Sequence, residues 1–381
     1  MFDARDHRYM ARALHLAARG LYTTDPNPRV GCVLASDDIL GEGWHRRAGG
    51  PHAEIEALNQ AREAGRPLQG ATVYITLEPC CHHGKTPPCV DALIEAGVGR
   101  VVVAMQDPNP QVNGKGLERL QQVGVEVQVG LMEAQARALN PGFISRTVRK
   151  RPYVRLKQAI SLDGRTALAS GESRWISSEH ARRDVQHWRA RSSAIMTGIN
   201  TVLADDPSLT VRLDNLASGE PQVSAAEEIR QPLRVVLDSQ FKIPLTACLL
   251  KSPGDVLIVT SLDDQVKRDI LVNEHVEIVT LPADRKGRPD PVDVMSVLAE
   301  GQINEVLVEC GSILAGALLS AQLVDEIILY VAPCILGDSA RGLFNIPVLS
   351  SMKARLPLNI EEIRPVGPDF RIIAKPLNVE N

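Results

Sequence analysis

Apolar residues first recur at helical spacing, with Met10, Leu14, Ala17, Ala18 and Leu21 on one face. This predicts an amphipathic helix that ends before the turn Asp25-Pro26-Asn27-Pro28. Shorter apolar runs predict strands from Val30 to Ala35 and near Leu40 to Trp44, then a helix from His52 to Ala64. A strand from Thr72 to Leu77, a helix from Pro87 to Ala96 and a strand from Arg100 to Ala104 continue the series, and repeated strand–helix units of this kind build an α/β sandwich. The segment Asp107-Pro108-Asn109-Pro110 and the turn Asn113-Gly114-Lys115-Gly116 read as a polar loop at the C-terminal end of a strand, where ligands of such sheets gather. There Asn109 either recognises a ring edge or serves only the turn.

The periodicity breaks near Asn140-Pro141-Gly142, and the basic residues Arg146, Arg149, Lys150 and Arg151 lead to Pro152. We read a hinge here and two domains, 1–147 and 148–381. The second half restarts with an alternating strand from Tyr153 to Ile160. A helix beginning near Ser178 carries Arg182, Arg183 and Arg189. Strands are expected at Ala194–Thr197, Leu233–Asp238, Asp255–Val259, Val276–Thr280, Glu305–Glu309 and Glu326–Val331, alternating with helices. Residues Asp214 to Gln231 are polar without an apolar period and read as an exposed insertion. No internal repeat is evident.

Length changes the picture little: 381 residues at about 150 per domain give two or three domains. The formal net charge of −4 gives no general attraction to nucleic acid or to an anionic membrane, which favours a small substrate. Seven cysteines, Cys32, Cys80, Cys81, Cys89, Cys248, Cys310 and Cys334, form no regular disulfide framework, so reduced thiols in a cytoplasm are expected. No signal core and no run of about eighteen apolar residues is present, and we expect a cytoplasmic protein with no membrane and no nucleic-acid partner.

The chemistry concentrates at His52-Ala53-Glu54, Pro79-Cys80 and Cys89. One imidazole and two thiolates supply three zinc ligands and leave a fourth tetrahedral position for water, the layout of a catalytic site. Water bound there has its pKa lowered from about 15.7 to roughly 7, and Glu54, near a ligand without being one, can carry a proton to a departing amine. The set reads as hydrolytic deamination of a pyrimidine-like ring. Eight residues separate Cys80 from Cys89, where most zinc deaminases have two, which weakens any transfer of nucleoside specificity. Thr86 as N-cap and Pro87 at the first helical position would place Cys89 in a first helical turn, where the dipole favours a thiolate. A structural zinc site remains open as an alternative, because Cys81, His82 and His83 are surplus ligands. His82 and Lys85 are otherwise solvated loop residues.

In the second half the strand through Val308-Glu309 runs into Cys310-Gly311-Ser312 and a helix holding Gly316, so backbone amides at a helix start can receive a phosphate. A tight strand-to-helix turn explains the same residues. Gly198-Ile199-Asn200-Thr201 is a second strand-to-loop phosphate candidate. Arg189 and Arg212 can hold a substrate phosphate bidentately, or lie on the surface. Trp175 walls a nicotinamide or packs at a core or interface.

Together these motifs resemble the bifunctional riboflavin-biosynthesis enzymes, in which a diaminohydroxyphosphoribosylaminopyrimidine deaminase is fused to a 5-amino-6-(5-phosphoribosylamino)uracil reductase. The resemblance rests on Asn27-Pro28-Arg29-Val30-Gly31, His52-Ala53-Glu54, Glu78-Pro79-Cys80 through Pro88-Cys89, Asp107 to Pro110, Ser161-Leu162-Asp163-Gly164-Arg165, and Thr201 to Pro207. It implies an α/β protein of two domains: an N-terminal cytidine-deaminase-like α/β/α sandwich and a C-terminal dihydrofolate-reductase-like α/β domain. Zn2+ and NADPH are the implied cofactors, and a small phosphorylated pyrimidine the substrate. We also expect a homo-oligomer.

By the same resemblance His52, Cys80 and Cys89 are metal ligands and Glu54 the proton carrier, with Asn27, His82, Lys85, Asp107 and Asn109 on the first substrate. In the second domain Lys157 and Asp205 are catalytic. Ser173, Arg189, Leu209, Arg212 and Glu309 are implied to contact substrate. Ala159, Trp175, Thr201, Asp205, Ser239 and the run Gly311, Ser312, Ile313, Leu314, Ala315, Gly316 and Ala317 are implied to contact the cofactor. Two rivals stand beside this. A nucleic-acid adenosine deaminase leaves the long second half unexplained, and a zinc-stabilised scaffold has no use for Glu54.

Overall fold

A computed structural model describes residues 1–81, 88–110, 112–212, 214 and 229–377. The chain divides into two compact units, Met1–Lys150 and Arg151–Asn381. The first contains α1 (Ala4–Ala18), β1 (Gly31–Ala35), β2 (Ile39–Trp44), α2 (Ala53–Glu63), β3 (Thr72–Ile75), α3 (Cys89–Glu95), β4 (Arg100–Val103), α4 (Lys115–Gln122), β5 (Glu126–Val129), α5 (Glu133–Leu139) and α6 (Pro141–Arg149).

Its sheet runs β2-β1-β3-β4-β5, with β1 antiparallel to both neighbours and β3, β4 and β5 parallel. The central strands are buried on both faces, which accounts for the unbroken Val101-Val102-Val103 run. Ala57, Leu58 and Ala61 of α2, with Val90 of α3 and Leu120 of α4, cover one face, while Tyr9, Met10 and Ala13 of α1 and Ala136 of α5 cover the other. The result is the expected three-layer sandwich. It places the C-terminal ends of β3 and β4 side by side, and the loops that leave them carry Cys80 and Asp107.

Several local expectations need correction. The N-cap of α3 is Pro88 and Cys89 is its first residue; Thr86 and Pro87, assigned to cap that helix, lie outside the described residues. Lys115 and Gly116 open α4 instead of belonging to a turn. Where a hinge was expected, α6 runs through residue 147 to Arg149, started by Pro141 in its first turn, a position that needs no amide hydrogen.

The second unit contains β6 (Tyr153–Ser161), β7 (Arg165–Ala167), α7 (Glu179–Arg191), β8 (Ala194–Gly198), α8 (Ile199–Asp205), β9 (Leu233–Leu237), α9 (Cys248–Lys251), β10 (Val256–Thr260), α10 (Gln265–Leu271), β11 (Val276–Thr280), α11 (Pro291–Glu300), β12 (Glu305–Glu309), α12 (Ser312–Ser320), β13 (Glu326–Ala332), β14 (Arg341–Gly342), β15 (Leu358–Val366) and β16 (Asp369–Pro376). Nine strands form one mixed sheet, β11-β10-β9-β8-β12-β6-β13-β16-β15. The first seven positions pair in parallel, and the hairpin β15–β16 closes the edge antiparallel. Residues of α11 and α12 pack on one face, and α7, α8, α9 and α10 on the other.

Such a parallel sheet gathers its loops at the C-terminal strand ends, which is where a ligand cleft is expected. In the segment Gly198 to Thr201, predicted as a strand-to-loop turn, Gly198 ends β8 and caps α8, and Ile199, Asn200 and Thr201 begin that helix. The expected exposed insertion, apart from Asp214 and residues 229–231, lies outside the described residues. Among the described residues no helix is long and apolar enough to cross a membrane.

Candidate active sites

In the first unit His52 is the N-cap of α2, with an extended backbone (φ −74°, ψ 163°) and no hydrogen bond from its ring to the helix start. Glu54 follows in the first turn of the same helix. Cys80 comes from the loop after β3, and Cys89 opens α3. One ligand atom from each of His52, Cys80 and Cys89 lies within 4.8 Å of the others. The His52 Nδ1 is 3.2 Å from Cys89 Sγ and 3.6 Å from Cys80 Sγ. Three donors of this softness and spacing fit a zinc ion.

The electrostatics around these ligands are uneven. Cys80 is held down to about 4 by hydrogen bonding from Cys89 and by His52, and the Cys89 amide also donates to its sulfur at 3.3 Å. Hydrogen bonding to Cys80 and burial push Cys89 the other way. Burial drives Glu54, only 3% exposed, up to about 7. A carboxyl poised there can both take and give a proton near neutral pH.

Asn27 is linked to this group through His45. His45 Nδ1 lies 2.9 Å from the Pro51 carbonyl, so that nitrogen donates and His45 Nε2 accepts from Asn27 Nδ2 at 3.0 Å. The His45 ring stands edge-on to that of His52 at a centroid distance of 5.5 Å. Asp107 is buried, and its Oδ1 accepts the Asn109 amide at 2.8 Å. His82 and Lys85 lie outside the described residues.

In the second unit a cleft of about 950 Å³ opens at the C-terminal ends of β6, β8, β9 and β12. Sixteen of the predicted residues line it: Lys157, Ala159, Ser173, Trp175, Arg189, Thr201, Asp205, Leu209, Arg212, Ser239, Glu309, Gly311, Ser312, Ile313, Leu314 and Ala317. Ala315 and Gly316 do not. Ala315 is fully buried in the core, and a Cβ on Gly316 would fall 2.1 Å from the Asn345 carbonyl oxygen, so this face of α12 serves packing.

Lys157 and Glu309 are paired in register on β6 and β12. Burial lowers the Lys157 ammonium from its ordinary value, opposed by Glu309 and assisted by Arg189. Burial alone would raise Glu309, but Arg189 and Lys157 outweigh it and hold the carboxyl low. Trp175 is 69% exposed, with the Arg182 guanidinium 4.4 Å from its ring centroid. That leaves an aromatic wall on the cleft. Asp205, the last residue of α8, pairs with Arg174 at 3.4 Å.

The profile of the cytidine and deoxycytidylate deaminase zinc-binding region matches residues 3–105, and that of the RibD C-terminal domain matches residues 152–372. The riboflavin biosynthesis protein RibD of Escherichia coli is 51% identical over 371 residues, covering 96% of this chain and 98% of that protein. The chain belongs to the RibD family. Its fold agrees with the solved RibD of Acinetobacter baumannii, with a TM-score of 0.88 and 44% identity over 98% of this chain and 99% of the other. A Thermotoga maritima structure described as a diaminohydroxyphosphoribosylaminopyrimidine deaminase/5-amino-6-(5-phosphoribosylamino)uracil reductase gives a TM-score of 0.84 at 33% identity over 98% and 99% of the two chains.

As a RibD-family member the chain is a bifunctional deaminase and reductase of riboflavin biosynthesis, with a cytidine-deaminase-like domain followed by a dihydrofolate-reductase-like one. The family's substrate is a small pyrimidine. Its deaminase domain points to zinc and its reductase domain to a nicotinamide cofactor. Sequence reasoning missed His45, which orients Asn27. The available signal was a histidine directly after a β-strand that precedes the ligand helix.

Proposed function

We propose that the first unit hydrolyses the 2-amino group of 2,5-diamino-6-(5-phosphoribosylamino)pyrimidin-4(3H)-one. The second unit then reduces the ribosyl chain with NADPH to give 5-amino-6-(5-phosphoribitylamino)uracil. The observation that carries this reading is Glu54, buried beside the His52, Cys80 and Cys89 donors.

His52, Cys80 and Cys89 would hold zinc, which supplies the Lewis acidity that makes water a nucleophile near neutral pH. Glu54 takes a proton from the attacking water as a C–O bond forms at the ring carbon. It returns that proton to the amine as the C–N bond breaks, and ammonia leaves. Asn27, oriented through His45, and the loop bearing Asp107 and Asn109 fix the ring, with His82 and Lys85 completing the substrate contacts.

In the second unit the reduced nicotinamide supplies the hydride. Ala159, Trp175, Thr201, Asp205, Ser239 and the turn Gly311–Leu314 with Ala317 hold the dinucleotide in the cleft. Ser173, Leu209, Arg189 and Arg212 seat the sugar phosphate, Glu309 lies beside them, and Asp205 aligns the reacting groups. Lys157 gives the proton that accompanies hydride addition at the amino-bearing sugar carbon, a role suited to an ammonium that burial has made more acidic.

The chain acts as a homo-oligomer in the cytoplasm. Support comes from seven free thiols and from an edge hairpin that exposes Leu358, Ile360, Ile363 and Phe370. Metal analysis and a coupled assay of ammonia release and NADPH oxidation on the purified chain test the reading. One zinc per chain and sequential release of ammonia and NADP+ are expected. Oxidation of NADPH without prior deamination of the diamino substrate would overturn the order of steps.

A further inference from the structure

Glu78 stands immediately before the Pro79-Cys80 loop, and its carboxylate bonds to backbone amides of the next loop. It is 3% exposed. Its Oε2 accepts the Asp107 amide at 3.1 Å and the Gly114 amide at 2.9 Å, while Oε1 accepts Gly114 at 2.9 Å and Gly116 at 3.1 Å. The Glu78 backbone amide donates in turn to Met105 at 3.0 Å. One buried carboxylate therefore ties both ends of the segment 107–116 to the loop that delivers Cys80.

The fit is close on the other side as well. A Cβ on Gly116 would lie 2.4 Å from the Pro79 carbonyl oxygen and 3.2 Å from Glu78 Oε1, so only glycine lets α4 start so near the Cys80 loop. Asp107, fixed by Glu78 through its amide, uses its own Oδ1 to fix the Asn109 amide at 2.8 Å. The chain of contacts runs from Cys80 through Glu78 and Asp107 to Asn109.

We propose that Glu78 is a positioning residue of the deaminase site, holding Asp107 and Asn109 in register with the Cys80 loop so that ring recognition and bond cleavage share one geometry. This rests on the reading of Asp107 and Asn109 as substrate contacts. Glutamine at position 78 keeps the shape but offers one acceptor oxygen, and its amide hydrogens face other N–H groups, so a buried bonding set is left incomplete.

The test is steady-state deamination kinetics of Glu78→Gln, Gly116→Ala and Asn109→Ala in the full chain, with zinc content and NADPH oxidation on pre-deaminated substrate measured in parallel. Loss of one such bond corresponds to about tenfold. KM is therefore expected to rise by about that factor or more in both Glu78→Gln and Gly116→Ala, with kcat falling less and zinc and NADPH oxidation unchanged. A KM within about twofold of the unaltered chain in those two variants, with Asn109→Ala raising it, would overturn the positioning role alone. Unchanged KM in Asn109→Ala would instead overturn the reading of Asn109. Zinc lost together with activity in Glu78→Gln would make the residue a support of the metal loop only. Should that variant not fold, Gly116→Ala disturbs the same contact from the opposite side and decides the matter.

Discussion

Arg189 on α7 grips Glu309 at the end of β12 with both arms of its guanidinium, Nε to Oε1 at 2.6 Å and Nη2 to Oε2 at 3.0 Å, across 120 residues of sequence. Its Nη1 donates to the Thr210 carbonyl at 2.9 Å. The planar fork is thus fixed in orientation by protein groups alone, and lysine cannot reproduce it. Arg189→Lys should raise the reductase KM for the phosphorylated substrate about tenfold or more and leave ammonia release unchanged. Arg189→Ala strands a largely buried carboxylate and should also cost about 2–3 kcal/mol of stability. Kinetics and urea unfolding of the two variants separate the effects.

Glu54 is a carboxylate buried beside the His52, Cys80 and Cys89 donors. Glu54→Gln keeps its size and removes its proton. Deamination should fall by about a hundredfold to ten-thousandfold, while zinc stays bound and NADPH oxidation with pre-deaminated substrate continues. An ammonia assay alongside metal analysis reads both. Retained deamination would remove Glu54 from the mechanism.

Lys157 allows the converse separation. Half-buried beside Glu309 and Arg189, it is poised to lose a proton more easily than an ordinary lysine. Lys157→Ala should stop NADPH oxidation and leave ammonia release intact, and ammonia accumulating without NADP+ is the signature. Parallel loss of both activities would instead point to misfolding.

The cluster of His52, Cys80 and Cys89 was legible because zinc chemistry demands particular residue types near one another in sequence. His45 was not, because it acts through a carbonyl and a side-chain amide that no motif encodes; Glu78 stood within the motif Glu78-Pro79-Cys80, but nothing there shows that its carboxylate gathers backbone amides of the next loop. The strands of the two central sheets could be read since both of their faces are buried, giving unbroken runs such as Val306-Leu307-Val308. The C-terminal hairpin escaped notice: Leu358, Ile360, Ile363 and Phe370 are exposed among charged neighbours, so neither a buried run nor a clean alternation marks it. In α12 the helical period separates Ile313 and Leu314, which face the cleft, from Ala315 and Gly316, which face the core. A loop assigned as one continuous contact could not reveal that division.

Stability of the first unit should depend on acid through Asp6. This buried residue of α1 receives Arg100 at both carboxylate oxygens, 2.7 and 3.0 Å, and the Tyr74 hydroxyl at 2.9 Å, joining the first helix to β4 and β3. Its amide is capped by Asp3 at 2.8 Å. The hydrogen bonds from Arg100 outweigh burial and hold the Asp6 carboxyl well below the ordinary carboxylate range. Because the folded value is the lower one, the stabilisation is complete above the unfolded-state value of about 3.9 and is lost progressively as the pH falls below it. Asp6→Asn leaves the Arg100 guanidinium without its carboxylate at that position and should destabilise the chain by about 3 kcal/mol near neutral pH. Urea midpoints of the two proteins should therefore differ clearly at pH about 7 and converge toward pH about 2. A gap that stays constant across that range would show that Asp6 contributes by packing instead of by charge.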